Sequence, residues 1–217
     1  PGKFNAMSRS MWLQLRAGFE ALQDTADVRC VVVRGEGGHL CAGGDISEYA
    51  SFRFEEQSLR AFHEDEVWGG LQAMLDCDVP IVAQIDGNCM GAGMEIASCC
   101  DIRIASATAK FGAPIARLGF PMAPREAQVV MREAGALTAR EMLLEAAVLD
   151  AQVMLQRGFV NRVVPADQCA AEALAAARRI RKLAPAAARM NKQTIRALNK
   201  PLAHEGRAQS AMYSIVN

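Results

Sequence analysis

A single glutamate, Glu95, lies in a stretch from Gly91 to Cys100 whose other residues are small or apolar, apart from Ser98. An unpaired carboxylate on so apolar a helix costs several kcal/mol or takes up a proton. Two explanations are open: it pairs with a buried arginine, or it is kept for acid/base chemistry. Its neighbours bear on the choice. Gly91-Ala92-Gly93 opens the helix and leaves backbone N–H groups without intrahelical acceptors, and Ala92 precedes Glu95 by one turn, on roughly the same face. An oxyanion bound at the Ala92 N–H would have a carboxyl beside it. A second donor can come from Gly43-Gly44, where the backbone can approach a ligand closely, and two N–H groups aimed at one oxygen stabilise an enolate. Taken singly these signals are weak, because glycine pairs usually mark turns and small-residue helix starts usually mark tight packing.

The elements that must position these groups follow from periodicity. Met11, Leu15, Phe19 and Leu22 recur at helical spacing after Ser8, a helix-capping residue, and Cys30-Val31-Val32-Val33 then reads as a buried strand. Glycines 35, 37, 38, 43 and 44 follow it. Leu59, Phe62, Val67, Leu71 and Met74 mark a second helix, which Pro80 breaks, and Ile81–Ile85 is the next buried strand. Asp86-Gly87 turns the chain into the Gly91–Cys100 helix, and Ile102–Ala105 alternates like a further strand. Strand, glycine turn, helix, strand is the order of an α/β domain with parallel crossovers. Beyond about residue 120, segments 138–146, 150–157 and 166–184 read as helices and 159–164 as extended, with Pro185 and Pro201 each opening another helix. We expect residues 1–130 to form the core with the site, and 131–217 to form a helical region of the same domain.

Composition excludes several classes of function. The chain has 217 residues, with 24 basic and 24 acidic side chains and no net charge, so it lacks the clustered positive charge that nucleic-acid or membrane-surface binding requires. The one basic cluster, Arg178, Arg179, Arg181 and Lys182, reads as a solvated helix face. Seven cysteines without paired spacing suit reduced, buried thiols in a cytoplasmic setting, and no apolar run is long enough for a membrane span. The chain enters almost directly on a helix after Pro1, so an upstream strand or targeting segment is expected to be missing. No dinucleotide fingerprint, nucleophile elbow or phosphate loop occurs. His39 reads as an exposed loop histidine that could reach a phosphate, and His63 and His204 lie on helices without a ligand pattern, so no metal is expected.

The series of motifs resembles the crotonase (enoyl-CoA hydratase/isomerase) family over nearly the whole chain. It comprises Asn5-Ala6-Met7, Leu40-Cys41-Ala42-Gly43-Gly44-Asp45-Ile46, and Ile85-Asp86-Gly87 through Gly91-Ala92-Gly93-Met94-Glu95 to Asp101. Ala109-Lys110-Phe111-Gly112, Leu118-Gly119, the segment from Ala139 to Leu143, and Gly158 through Val164 continue it. The resemblance implies a ββα spiral with a helical C-terminal trimerisation region, hence a homotrimer or homohexamer. It implies an acyl-CoA substrate whose coenzyme A is part of the substrate, with no further cofactor. Residue by residue, it puts Gly44 and Ala92 at the oxyanion hole, Glu95 at the catalytic carboxylate, and Ala42, Asp45, Ile46, Gly91 and Ile115 with them along the substrate; Asp45 and Asp101 also look structural. The family's hydratases carry a second carboxylate directly after the proline of the Phe-Gly-x-Pro segment, where this chain has Ile115 after Pro114. Glu126 is a conceivable substitute, although a surface helix cap beside Arg125 is the plainer expectation. The resemblance therefore implies an enoyl-CoA hydratase, a weak one if Ile115 leaves water with one acid/base partner. Isomerase, decarboxylase or thioesterase chemistry on the same enolate is the alternative, as is a non-catalytic acyl-CoA-binding trimer.

Overall fold

The computed structural model describes residues 2–23, 25 and 27–199. Pro201 and His204 therefore lie outside the described residues. Helix α1 (Arg9–Gln23) opens where expected, with the Ser8 Oγ accepting from the Met11 N–H, and it buries Trp12 and Phe19. After β1 (Val31–Val33) and a one-turn α2 (Ile46–Tyr49), the second predicted helix appears in three pieces: α3 (Glu56–Ala61), a π-helical segment (Phe62–Val67) and α4 (Trp68–Asp76). Periodicity alone gave no sign of the π-helical segment, because one wide turn shifts the apolar stripe without ending it.

Strands β2 (Ile81–Ile85) and β3 (Asn88–Met90) lead into α5 (Ala92–Ser98), which is followed by β4 (Ile102–Ser106) and β5 (Lys110–Gly112). A 3₁₀ turn (Pro114–Leu118), α6 (Pro124–Ala134), α7 (Ala136–Leu144), β6 (Val148–Asp150), α8 (Ala151–Gln156), β7 (Arg162–Val164), α9 (Cys169–Arg181) and α10 (Pro185–Leu198) complete the order.

Two sheets form. The first has the order β1-β2-β4-β7 and is parallel throughout; the second has the order β3-β5-β6, with β3 parallel and β6 antiparallel to β5. The first sheet is covered on both faces, as a parallel sheet must be. Ile81, Ala83 and Ile85 point into the main core, while Val82 and Ile104 point the other way, onto Cys169, Ala173 and Ala176 of α9. This period of two explains why β2 reads as a continuous apolar run. Two strands differ from expectation: β1 is only half-buried, because it is a sheet edge, and β4 does not alternate but is buried from Arg103 onward. The short strands β3, β5 and β6, each three residues long, left no periodic signal. Among the described residues no helix is long and apolar enough to cross a membrane.

Candidate active site

The loop from Leu40 to Asp45 is stitched to β3 by main-chain hydrogen bonds. The Cys41 N–H donates to the Asn88 carbonyl at 2.9 Å, the Met90 N–H donates to the Cys41 carbonyl at 2.9 Å, and the N–H groups of Met7 and Asp45 close it against the first turn of the chain. Gly43 holds φ at +113° within it. Since β3 runs directly into α5, this pairing carries Gly44 to the start of α5. Contact there requires glycine at position 93, where a Cβ would lie 2.9 Å from the Cys41 carbonyl oxygen. Gly91 caps α5 at φ +47°, a conformation that glycine adopts without a Cβ penalty.

The outcome is that Gly44 and Ala92 face one cavity of about 470 Å³, together with Ala42, Asp45, Ile46, Gly91, Glu95 and Ile115, the whole set expected from the sequence. Among the described residues neither the Gly44 N–H nor the Ala92 N–H has a hydrogen-bond acceptor. Asp45 caps α2 by accepting from Ser47 and pairs with Lys3 at 2.6 Å, and that lysine and serine hold its carboxyl below the ordinary range. Asp101 accepts from the Ile81 N–H and pairs with Lys192.

Glu95 is buried, with 6% of its surface exposed. The arginine that could have neutralised it is directed elsewhere: buried Arg103 donates to the carbonyls of Phe159, Ala97 and Cys100 and pairs with Glu133. Among the described residues the Glu95 carboxyl has neither a hydrogen bond nor an ion pair. Burial pushes its pKa well above the ordinary value, and the charge of Glu126 adds to that shift. A carboxyl in this state keeps its proton to higher pH than an exposed glutamate does, and it can deliver that proton and take it back.

The sequence expectation for Glu126 is overturned. It does not cap a surface helix; it is 4% exposed, lines the cavity from the first turn of α6, and accepts from the Nδ1–H of His63 at 2.8 Å. The cavity therefore holds a second carboxylate, though none follows Pro114. His63 is likewise no idle helix residue. Burial opposes its charged form, but the charge of Glu126, the hydrogen bond to it and the charge of Glu64 leave its pKa above the ordinary histidine value. His39 is not an exposed histidine: it is half-buried, and its Nδ1 accepts from the Asn88 N–H at 3.0 Å, which ties the loop to β3.

Sequence reasoning also missed Tyr49, whose hydroxyl lies against Gly44 and whose ring meets Phe62 and Phe120 edge-on. With Trp12, Val67 and Met122 these rings form an apolar wall. Phe62 carried a periodic signal; Tyr49 and Phe120 lie in short or irregular segments and carried none. The cysteines offer no nucleophile here: burial lifts Cys41, beside the cavity, to about 11, far from a thiolate at neutral pH.

The parallel sheet, the cross-connected second sheet and the helices from α6 to α10 are the crotonase fold. In solved structures it matches an enoyl-CoA hydratase/carnithine racemase from Magnetospirillum magneticum, with a TM-score of 0.89 and 34% identity over 97% of this chain and 79% of that one. Residues 1–215 match the enoyl-CoA hydratase/isomerase family, and the chain belongs to it. Similar proteins include the "Probable enoyl-CoA hydratase echA8" of Mycobacterium bovis, 32% identical over 90% of this chain and 74% of that protein. The 2,3-dehydroadipyl-CoA hydratase of Escherichia coli is 30% identical over 96% of this chain and 80% of its own length.

Proposed function

We propose that the protein hydrates a 2-enoyl-CoA thioester, holding the thioester oxygen between the N–H groups of Gly44 and Ala92. The observation that carries this reading is the meeting, on one cavity, of two N–H groups without acceptors and a buried carboxyl without a partner. An oxygen seated between the two donors gains charge as water adds to the β-carbon, and preorganised donors stabilise that charge at no cost in reorganisation. Glu95, one turn after Ala92, stands beside the carbons next to the carbonyl and moves the proton. The apolar wall of Trp12, Phe62, Val67 and Phe120 suits the acyl chain, and Lys3 at the cavity suits an anionic part of coenzyme A. Relatives named as hydratases support the reaction class.

The test is a panel of saturated, 2-enoyl, 3-enoyl and malonyl-type CoA esters, assayed with the parent, Ala92→Pro and Glu95→Gln. Turnover is expected to be highest on the 2-enoyl ester and to fall by about 10²–10³ when the Ala92 donor is removed. A folded Ala92→Pro chain that turns over acyl-CoA as the parent does would show the oxyanion assignment to be wrong.

A further inference from the structure

We infer that Glu126, oriented by His63, is the second proton-transfer group of this cavity and takes the proton from the attacking water. The inference rests on the acyl-CoA reading above and deepens it. Three features of the structure lead to it. First, the position after Pro114 that would carry an acid holds Ile115, which lines the cavity with carbon alone. Second, Glu126 reaches the same cavity from α6, and only its Oε1 is bonded, to His63; among the described residues its Oε2 has no partner. Among the described residues Ser98 Oγ is the one fully buried side-chain oxygen or nitrogen without a partner, so Glu126 Oε2 keeps access to the cavity and is open to a water there. Third, His63 sits in the π-helical segment, a local departure from regular helix that recurs at functional sites, and the first and last residues of that segment, Phe62 and Val67, are buried.

The charge of Glu126 is felt at Glu95, so the two carboxyls share one field and favour unequal protonation. The hydrogen bond from His63 to Oε1, which leaves Oε2 facing the cavity as an acceptor, sets the division of labour. Glu126, whose Oε1 is held by His63, accepts a proton on Oε2 as the water O–H bond breaks and the O–C3 bond forms; the C2=C3 electrons move toward the thioester, whose oxygen is held at Gly44 and Ala92. Protonated Glu95 then delivers its proton to C2, completing the addition of one water. The cycle leaves Glu126 protonated and Glu95 ionised, and one proton passing from the first to the second resets the site. Glu126 is thus a catalytic residue and His63 a positioning residue.

Two reactions separate this inference from the reading beneath it: hydration of crotonyl-CoA, and exchange of the C2 protons of butyryl-CoA in D₂O. Exchange needs the backbone donors and Glu95 in the ionised form that follows proton delivery, but no water attack. Glu126→Gln is expected to lower kcat for hydration by about 10²–10⁴ with KM within a few-fold of the parent, and to leave exchange within about tenfold. His63→Asn, which keeps a donor to Oε1, should retain hydration within about tenfold, whereas His63→Leu, which keeps only bulk, should lose about 10–10² in kcat. Glu126→Gln hydrating within about threefold of the parent overturns the inference, since a lost acid/base group costs far more. Equal activity of His63→Leu and His63→Asn overturns the positioning role. Parallel loss of hydration and exchange in Glu126→Gln overturns the division of labour. A parent that neither binds nor exchanges butyryl-CoA overturns the acyl-CoA reading and this inference with it.

Discussion

The Tyr49 hydroxyl fills the space that a side chain on Gly44 would need: a Cβ built there would overlap Oη and lie 3.2 Å from Cζ. Tyr49 cannot retreat freely, because its ring packs against Phe52, Phe62 and Phe120 at centroid distances of 5.2–5.7 Å. Gly44→Ala is therefore expected to move either the ring or the Gly44 N–H and to reduce hydration by about 10²-fold, the scale of one lost oxyanion donor. Gly44→Ala with Tyr49→Phe should recover part of that loss, and the double-mutant cycle of kcat/KM measures it. Strict additivity would count against the steric account.

Glu95→Gln should be inactive yet no less stable at neutral pH. The folded-state pKa of Glu95 is raised by burial and by Glu126, so the folded chain holds its proton to higher pH than the unfolded chain does. Stability is thus lost as pH rises from the unfolded value, about 4.3, to the folded value, and stays lost above it. Glutamine has no charge to bury. Urea unfolding at pH 7 is expected to favour the variant, with the difference shrinking toward pH 4. A variant less stable at pH 7 would mean that the Glu95 carboxylate makes a favourable interaction.

Ile115→Glu would put a carboxylate where the family's hydratases carry one, opposite Gly91, whose built Cβ would lie 3.9 Å from the isoleucine. With Glu126 already serving, the change should alter parent hydration by less than about tenfold, yet in the Glu126→Gln background it should restore at least about tenfold. Crotonyl-CoA turnover in the two backgrounds is the measurement. A large gain in the parent would mean that water lacks a second acid.

Self-association is expected from α10. Its polar side is fixed to the rest of the chain: Arg189 donates to the carbonyls of Thr25 and Val28, Lys192 to that of Val79, and Arg196 to that of Leu75. Its apolar side, Met190, Ile195 and Leu198, remains exposed. Sedimentation at micromolar concentration should find a trimer or a dimer of trimers. A monomer would mean that these side chains face solvent in the working protein.

Much of this protein was legible in the sequence because the relevant signals are local. Helix α5 announces itself by small residues around one acid, and β2 by an apolar run that a doubly covered strand demands. These features carry the α/β order and set Ala92 one turn before Glu95. Packing decided what the sequence left open. Whether Glu95 had an arginine depended on where Arg103 pointed, and it points to the carbonyls of Ala97, Cys100 and Phe159. Whether the cavity held a second carboxylate depended on Glu126 meeting His63, 63 positions away in the chain. No periodicity encodes such a contact. It exists because the π-helical turn after α3 and the first turn of α6 face the same cavity, so packing turned a residue that reads as a surface cap into the buried half of a hydrogen-bonded pair.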